Sequence, residues 1–175
     1  MRVKRKWKVA SHGGEDKIHC MPSGKVHLRI EMIIFVPFLA LGAYLLQTGL
    51  VYTLYVAVFL GGYFFSSFFL SPDLDLVRSD PSQRWGIARV LWIPYAHLFH
   101  HRALSHHIIF GPLTRICYLG GIASLAFVGI LRLTGQHVPL SIPQWPVILA
   151  LLLGLYLPNQ IHTVVDALWS CLRHR

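Results

Sequence analysis

Residues 50–70 read LVYTLYVAVFLGGYFFSSFFL and contain no charged side chain. About 20 apolar residues in a helix are enough to cross the roughly 30 Å hydrocarbon core of a bilayer. A second run, from Ile108 to Leu133, is also long enough alone, whereas those from Met32 to Leu46 and from Trp145 to Leu157 need flanking polar residues. Buried helices of soluble proteins rarely supply four such runs in one chain. The sequence therefore predicts an all-α integral membrane protein with four transmembrane helices.

The distribution of the 16 Lys and Arg residues predicts the orientation of these helices. Eight precede the first apolar run and four lie between the second and third runs, whereas the turn at residues 47–49 has none. Lys and Arg are in excess in cytoplasmic loops. Both termini and the middle loop are therefore expected on the cytoplasmic side of the cell (inner) membrane. The Lys and Arg residues of these cytoplasmic segments account for the net charge of +9, so no nucleic acid partner is expected.

Two segments outside the apolar runs have a distinct composition. Residues 1–20 are basic and predict a flexible tail that could bind anionic lipid; alternatively, the true start is Met21. Residues 21–175 form the predicted membrane domain. From Trp85 to Phe99, aromatic residues are mixed with Arg and His, a pattern typical of a helix that lies in the membrane interface.

Ionisable side chains within or beside the apolar runs fall on four separate segments. In the predicted topology, all four segments reach the cytoplasmic leaflet. His162 and Asp166 are four residues apart and therefore share one face of a helix. An ionisable group inside a membrane is costly without a partner, and a divalent cation is the simplest common partner. The predicted metal ligands are His27, Asp73, Asp75, His106, His162 and Asp166.

Mixed imidazole and carboxylate ligands suit zinc, manganese or iron better than calcium or magnesium. Six candidates exceed the three protein ligands usual at a catalytic zinc, so one or two divalent transition-metal ions are expected. A polar network without metal is the alternative. Glu31 is either a further ligand or the partner of Arg29 or Lys25, and it stays outside the predicted set. No thiolate site is expected, because no CxxC pair is formed by the cysteines Cys20, Cys117 and Cys171.

Four short motifs follow one another in an order that resembles a known family. They are Met21-Pro22-Ser23-Gly24 with His27, Ser71-Pro72-Asp73-Leu74-Asp75, His101-Arg102-Ala103-Leu104-Ser105-His106, and His162-x-x-x-Asp166. In this order the chain resembles the small bacterial integral-membrane metal-binding proteins and, more distantly, the YdjM-like membrane-bound metal-dependent hydrolases. The resemblance extends from Met21 to Asp166 and implies metal binding and hydrolytic activity.

A metal site at the membrane surface favours a phosphoester, such as a lipid headgroup, as the substrate. Arg102 is expected to hold the phosphate through two hydrogen bonds, and His101 is expected to protonate the leaving group. Ser105 is expected to cap the third long helix, whose N-terminus would attract an anion. The alternative is a non-catalytic, metal-stabilised membrane scaffold or a metal carrier.

Overall fold

A computed structural model describes residues 24–75, 79–98, 109–136, 138 and 143–173. Within these residues the chain is helical and has no strand. Two short 3₁₀ segments, at Pro72–Asp75 and Gly86–Leu91, join the longer elements. The α-helices are α1 (Gly24–Gln47), α2 (Thr53–Phe69), α3 (Asp80–Arg84), α4 (Trp92–Leu98), α5 (Phe110–Thr134) and α6 (Trp145–Arg173).

Three helices are long and apolar enough to cross a membrane, namely α1, α5 and α6 up to Leu172. The apolar helix α2 has 17 residues and rises about 26 Å, slightly less than the usual hydrocarbon thickness. It is shorter than its apolar run because Leu50 and Val51 lie in the preceding turn, and Tyr52 and Leu70 are its N-cap and C-cap. The all-helical class and three membrane-length helices are thus established.

The turn after α1 reverses the chain at Gly49, as the sequence predicts. The Leu50 N–H donates to the Leu45 carbonyl and the Gly49 N–H donates to the Leu46 carbonyl, each at 3.2 Å. These two bonds form a Schellman motif, which requires a left-handed residue after the helix. Gly49 has a φ of +68° and meets that requirement without a steric penalty.

Helices α2 and α6 make the most extensive contact in the described part of the chain. Their backbones approach closely where Gly62 faces Gly154, as small residues allow in helix pairs within membranes. A Cβ atom at Gly154 would lie 3.0 Å from the Tyr63 amide nitrogen and closer still to the Phe59 carbonyl oxygen. The α2–α6 contact therefore depends on the absence of a side chain at Gly154.

We expect Gly154→Ala to destabilise the fold, because the neighbouring atoms belong to the backbone and cannot rotate away. Overpacking of this kind costs about 1–3 kcal/mol. Gly61→Ala is the matched control, because a Cβ there has no atom within 4 Å. The measurement is the unfolding midpoint of both variants in detergent micelles. Equal midpoints would show that the close α2–α6 approach is wrong.

The C-terminus of α2 is capped by side chains from two later segments, residues 84–85 and α5. The carbonyls of Phe68, Phe69 and Leu70 accept hydrogen bonds at 3.3, 2.9 and 3.1 Å, respectively. Their donors are, in the same order, Arg84, Trp85 and Arg115. The last carbonyls of a helix have no partner within it, and positive charge is favourable beside them. These bonds hold the 3₁₀ turn that follows α2 against the bundle.

The segment from Trp85 to Leu98 packs on this end of the bundle through aromatic side chains. Trp92 and Tyr95 are buried against Leu70 and Leu74. The Tyr95 hydroxyl is 3.0 Å from that of Thr114 on α5. The opposite side of the segment exposes large apolar side chains, namely Ile87, Val90, Leu91, Ile93 and Leu98.

Helix α5 begins later than the sequence suggests. Ile109 occupies its N-cap position, so the predicted cap at Ser105 is wrong for this helix. The reason is Pro112, which has no N–H and is tolerated in the first turn but not further inside a helix. A start at Phe110 places Pro112 within that first turn. Residues 99–108 lie outside the described part of the chain.

Candidate metal centre

Two helices each carry a histidine followed four residues later by a carboxylate: His27 and Glu31 on α1, and His162 and Asp166 on α6. A spacing of four residues places both members of a pair on one face of its helix. His27 pairs with Asp166, and Glu31 pairs with His162, so the order on one helix is reversed on the other. The two helices therefore run antiparallel here, and each histidine faces a carboxylate of the opposite helix.

The Asp166 carboxylate approaches both imidazole rings. Its Oδ1 atom is 3.0 Å from Nε2 of His27, and its Oδ2 atom is 3.7 Å from Nε2 of His162. The two rings stack, with centroids 3.8 Å apart and an angle of 17° between their planes. Both histidines are buried, at 3% and 2% exposure, whereas the Asp166 side chain is 18% exposed. The three residues thus offer two nitrogens and one oxygen to a common point.

The donor set fits a divalent transition metal. Ligand atoms of a tetrahedral zinc with bonds of about 2.0–2.1 Å lie about 3.3 Å apart. The two separations given above bracket that value, and the ligand atoms of His27, His162 and Asp166 all lie within 4.8 Å of one another. A dication would also offset the negative charges of Glu31 and Asp166, which would be costly together in a buried site. These three residues can therefore hold a metal ion.

The sequence prediction omitted Glu31, and the structure places it beside the cluster. Glu31 is 3% exposed, and its Oε1 atom lies 3.2 Å from Nδ1 of His162. The alternative of pairing with Arg29 or Lys25 does not suit a helix, because these residues are two and six positions from Glu31 and helical neighbours are three or four apart. The overlooked signal is the equal spacing of the two motifs, which on antiparallel helices aligns Glu31 with His162.

A second buried polar group lies one turn before His162 on α6. The Asn159 side chain accepts a 2.7 Å hydrogen bond from Arg115 and donates one of 3.0 Å to the Ser66 hydroxyl. Arg115 is 1% exposed although it lies within an apolar helix. Its position in the apolar run from Ile108 to Leu133 was the signal that could have identified it, since buried charge in such a run usually has a role.

The remaining predicted site residues stay predictions. Asp73 and Asp75 lie in the 3₁₀ turn after α2, and their side chains are outside the described part of the structure. Three predicted site residues of the middle loop lie wholly outside the described part of the structure, namely His101, Arg102 and His106. Of the six predicted ligands, the structure brings together three: His27, His162 and Asp166.

Comparison with known proteins identifies the family of this chain. An uncharacterized protein of Aquifex aeolicus (strain VF5) is 47% identical over 58 residues, which cover 33% of this chain and 41% of that relative. The match thus spans less than half the length of the relative. No solved structure matches the chain. A family model described as "Uncharacterized metal-binding protein (DUF2227)" matches residues 22–175. This match includes every residue of the candidate centre, and the chain therefore belongs to that family of metal-binding proteins.

Proposed function

We propose that this chain is a membrane-embedded, metal-dependent hydrolase that cleaves a phosphoester, such as a lipid headgroup, at the cytoplasmic interface. The observation that carries the proposal is the convergence of His27, His162 and Asp166. In this proposal α2 also spans the membrane, which makes four transmembrane helices in all. Both termini then face the cytoplasm, in agreement with the distribution of Lys and Arg. The centre then lies at the cytoplasmic end of the α1–α6 pair.

The residues of the chain have separate roles in this proposal. When bound by His27, His162 and Asp166, the cation would supply Lewis acidity toward a phosphoryl oxygen. Zinc and manganese are the favoured metals for these ligands. Arg102 would bind the phosphate with two parallel hydrogen bonds, and His101 would donate a proton to the leaving-group oxygen. Asp73, Asp75 and His106 would complete the coordination of one or two ions. The hydrolytic part rests on the resemblance to the YdjM-like hydrolases.

One observation favours a non-catalytic, metal-stabilised scaffold instead. His27 and His162 are almost fully buried, and only Asp166 of the cluster is partly exposed. Structural metal sites are closed, whereas catalytic sites keep a position open to substrate. A scaffold would use the ion to join α1 to α6. The two functions differ in what Arg102 contributes, because only the hydrolase needs a phosphate-binding side chain.

The test uses the full chain, purified in detergent and loaded with Zn²⁺ or Mn²⁺. The substrates are p-nitrophenyl phosphate, bis-p-nitrophenyl phosphate and short-chain phospholipids. We expect Arg102→Ala to retain bound metal and to reduce phosphoester cleavage to background. Arg89→Ala is the control and should retain both, because Arg89 is exposed on a neighbouring segment. If the protein binds metal but cleaves none of these substrates, its function is that of the scaffold and not of a hydrolase.

A further inference from the structure

Glu31 contacts the nitrogen of His162 that faces away from Asp166. Nδ1 of His162 lies 3.2 Å from the Glu31 carboxylate, whereas Nε2 lies 3.7 Å from the Asp166 carboxylate. An ionised carboxylate only accepts hydrogen bonds, so a bond to Glu31 requires the proton to be on Nδ1. Nε2, on the Asp166 side of the ring, then carries no proton and has a lone pair that can bind a metal.

We propose that Glu31 is a positioning residue that holds His162 in the orientation and tautomer needed to bind a metal through Nε2. The proposal rests on the metal site proposed above. A histidine that binds a metal commonly donates its other ring N–H to a carboxylate, which fixes the ring and makes the ligand more basic. The Glu31 carboxylate lies at Nδ1 of His162, whereas the Asp166 carboxylate lies on the Nε2 side, so Glu31 acts through His162.

The position of Glu31 is itself fixed by α2. The hydroxyl of Tyr63, a completely buried residue, donates a 3.0 Å hydrogen bond to the Glu31 backbone carbonyl. The Tyr63 ring packs on Phe35 and Phe38, with centroid distances of 5.3 and 5.6 Å. This bond uses the Glu31 backbone carbonyl, whereas the Glu31 carboxylate contacts His162. Three helices thus meet at one residue, and α2 helps to determine where the carboxylate lies.

Among the described residues, a carboxylate contacts Nδ1 of His162 but not Nδ1 of His27, so the proposal applies to His162 alone. Nδ1 of His27 is buried and has no hydrogen-bond partner among the described residues. Loss of the Glu31 carboxylate should therefore change the coordination of His162 and leave that of His27 intact. A general loosening of the α1–α6 contact would alter both histidines.

The experiment compares Glu31→Leu, Glu31→Gln and Tyr63→Phe in the full chain, stripped of metal and titrated with Zn²⁺ against a chelator. Outer-sphere partners are typically worth about 10–100-fold in metal affinity. We expect Glu31→Leu to raise the Zn²⁺ Kd by about that factor. Glu31→Gln should have a smaller effect, because its amide oxygen still accepts from Nδ1. Tyr63→Phe should raise the Kd less than Glu31→Leu does, because it removes only the hydrogen bond to the Glu31 backbone and keeps the carboxylate.

Nitrogen-15 NMR of labelled histidine in the wild-type chain gives a second readout, which needs a variant only to assign the His162 signal. The expected result is His162 bound to zinc through Nε2 with a proton on Nδ1, the signal being assigned with His162→Asn. Coordination through Nδ1, or an unchanged Kd in Glu31→Leu, would overturn the role of Glu31 while leaving the metal site intact. If Glu31→Gln bound Zn²⁺ as weakly as Glu31→Leu, Glu31 would be a direct ligand, and its role as a positioning residue would also be overturned. A wild-type chain that binds no metal would overturn the metal site itself, and the role of Glu31 with it.

Discussion

Asp166→Asn is expected to weaken Zn²⁺ binding by more than about 100-fold, because even outer-sphere partners of metal ligands contribute 10–100-fold. The substitution keeps the size of the side chain and one oxygen but removes the charge that offsets the cation. Among the described residues, Asp166 is also the carboxylate that the Nε2 atoms of both histidines approach. His162→Ala should have an effect of similar size, since it removes one of the two nitrogen ligands.

The measurement is metal content and Zn²⁺ Kd of each purified variant. His97→Ala is the control, because His97 is exposed on α4. The metal-free wild type and the variants should have similar helical content, which separates lost coordination from lost fold. Full metal occupancy in both Asp166→Asn and His162→Ala would show that the cluster is a polar network of buried side chains and not a metal centre.

Arg115→Met is expected to lower the free energy of unfolding by at least about 2 kcal/mol, because hydrogen bonds to charged groups contribute about 1.5–3 kcal/mol each. The substitution keeps an apolar chain of similar length but removes the donor to the Leu70 carbonyl and to Asn159. Both acceptors would remain buried, and a buried acceptor without a donor is costly. The loss should also loosen the turn that carries Asp73 and Asp75, since that turn begins just after Leu70.

Arg132→Met tests whether this effect depends on position. Arg132 lies on the same helix as Arg115, in its last turn, and is exposed. Its replacement should leave the unfolding midpoint in detergent micelles nearly unchanged. If the two variants had the same midpoint, the Leu70 carbonyl and Asn159 would have to find other partners, and the role of Arg115 in joining α2, α5 and α6 would be refuted.

The long helices were largely predictable from the sequence, because apolar runs and turn residues act locally. Gly49 reverses the chain where the first two runs meet, and α6 begins at the predicted Trp145. The start of α5 could not be predicted from Ser105, because a capping side chain is only one of several local preferences. The position of Pro112 in the first turn decided that boundary.

The candidate centre was predictable in part for the same reason. The four-residue spacing within His162-x-x-x-Asp166 fixes a shared helix face, and His27 lies at the matching end of α1. The sequence could not show which way each helix is rotated about its own axis. That rotation depends on packing, above all on the close approach of α2 and α6 at Gly154.

Two properties of this chain follow from its amino-acid order alone, namely its apolar helices and the recurrence of histidines and carboxylates at helical spacing. Both depend on residues that are near one another along the chain. The support of His162 by Glu31 and the binding of Arg115 to the end of α2 became visible in the packed helices. Each of these contacts joins residues far apart in sequence, so it depends on how the helices come together. The physical reason is that a buried polar group must find a partner, and packing determines which partner is within reach.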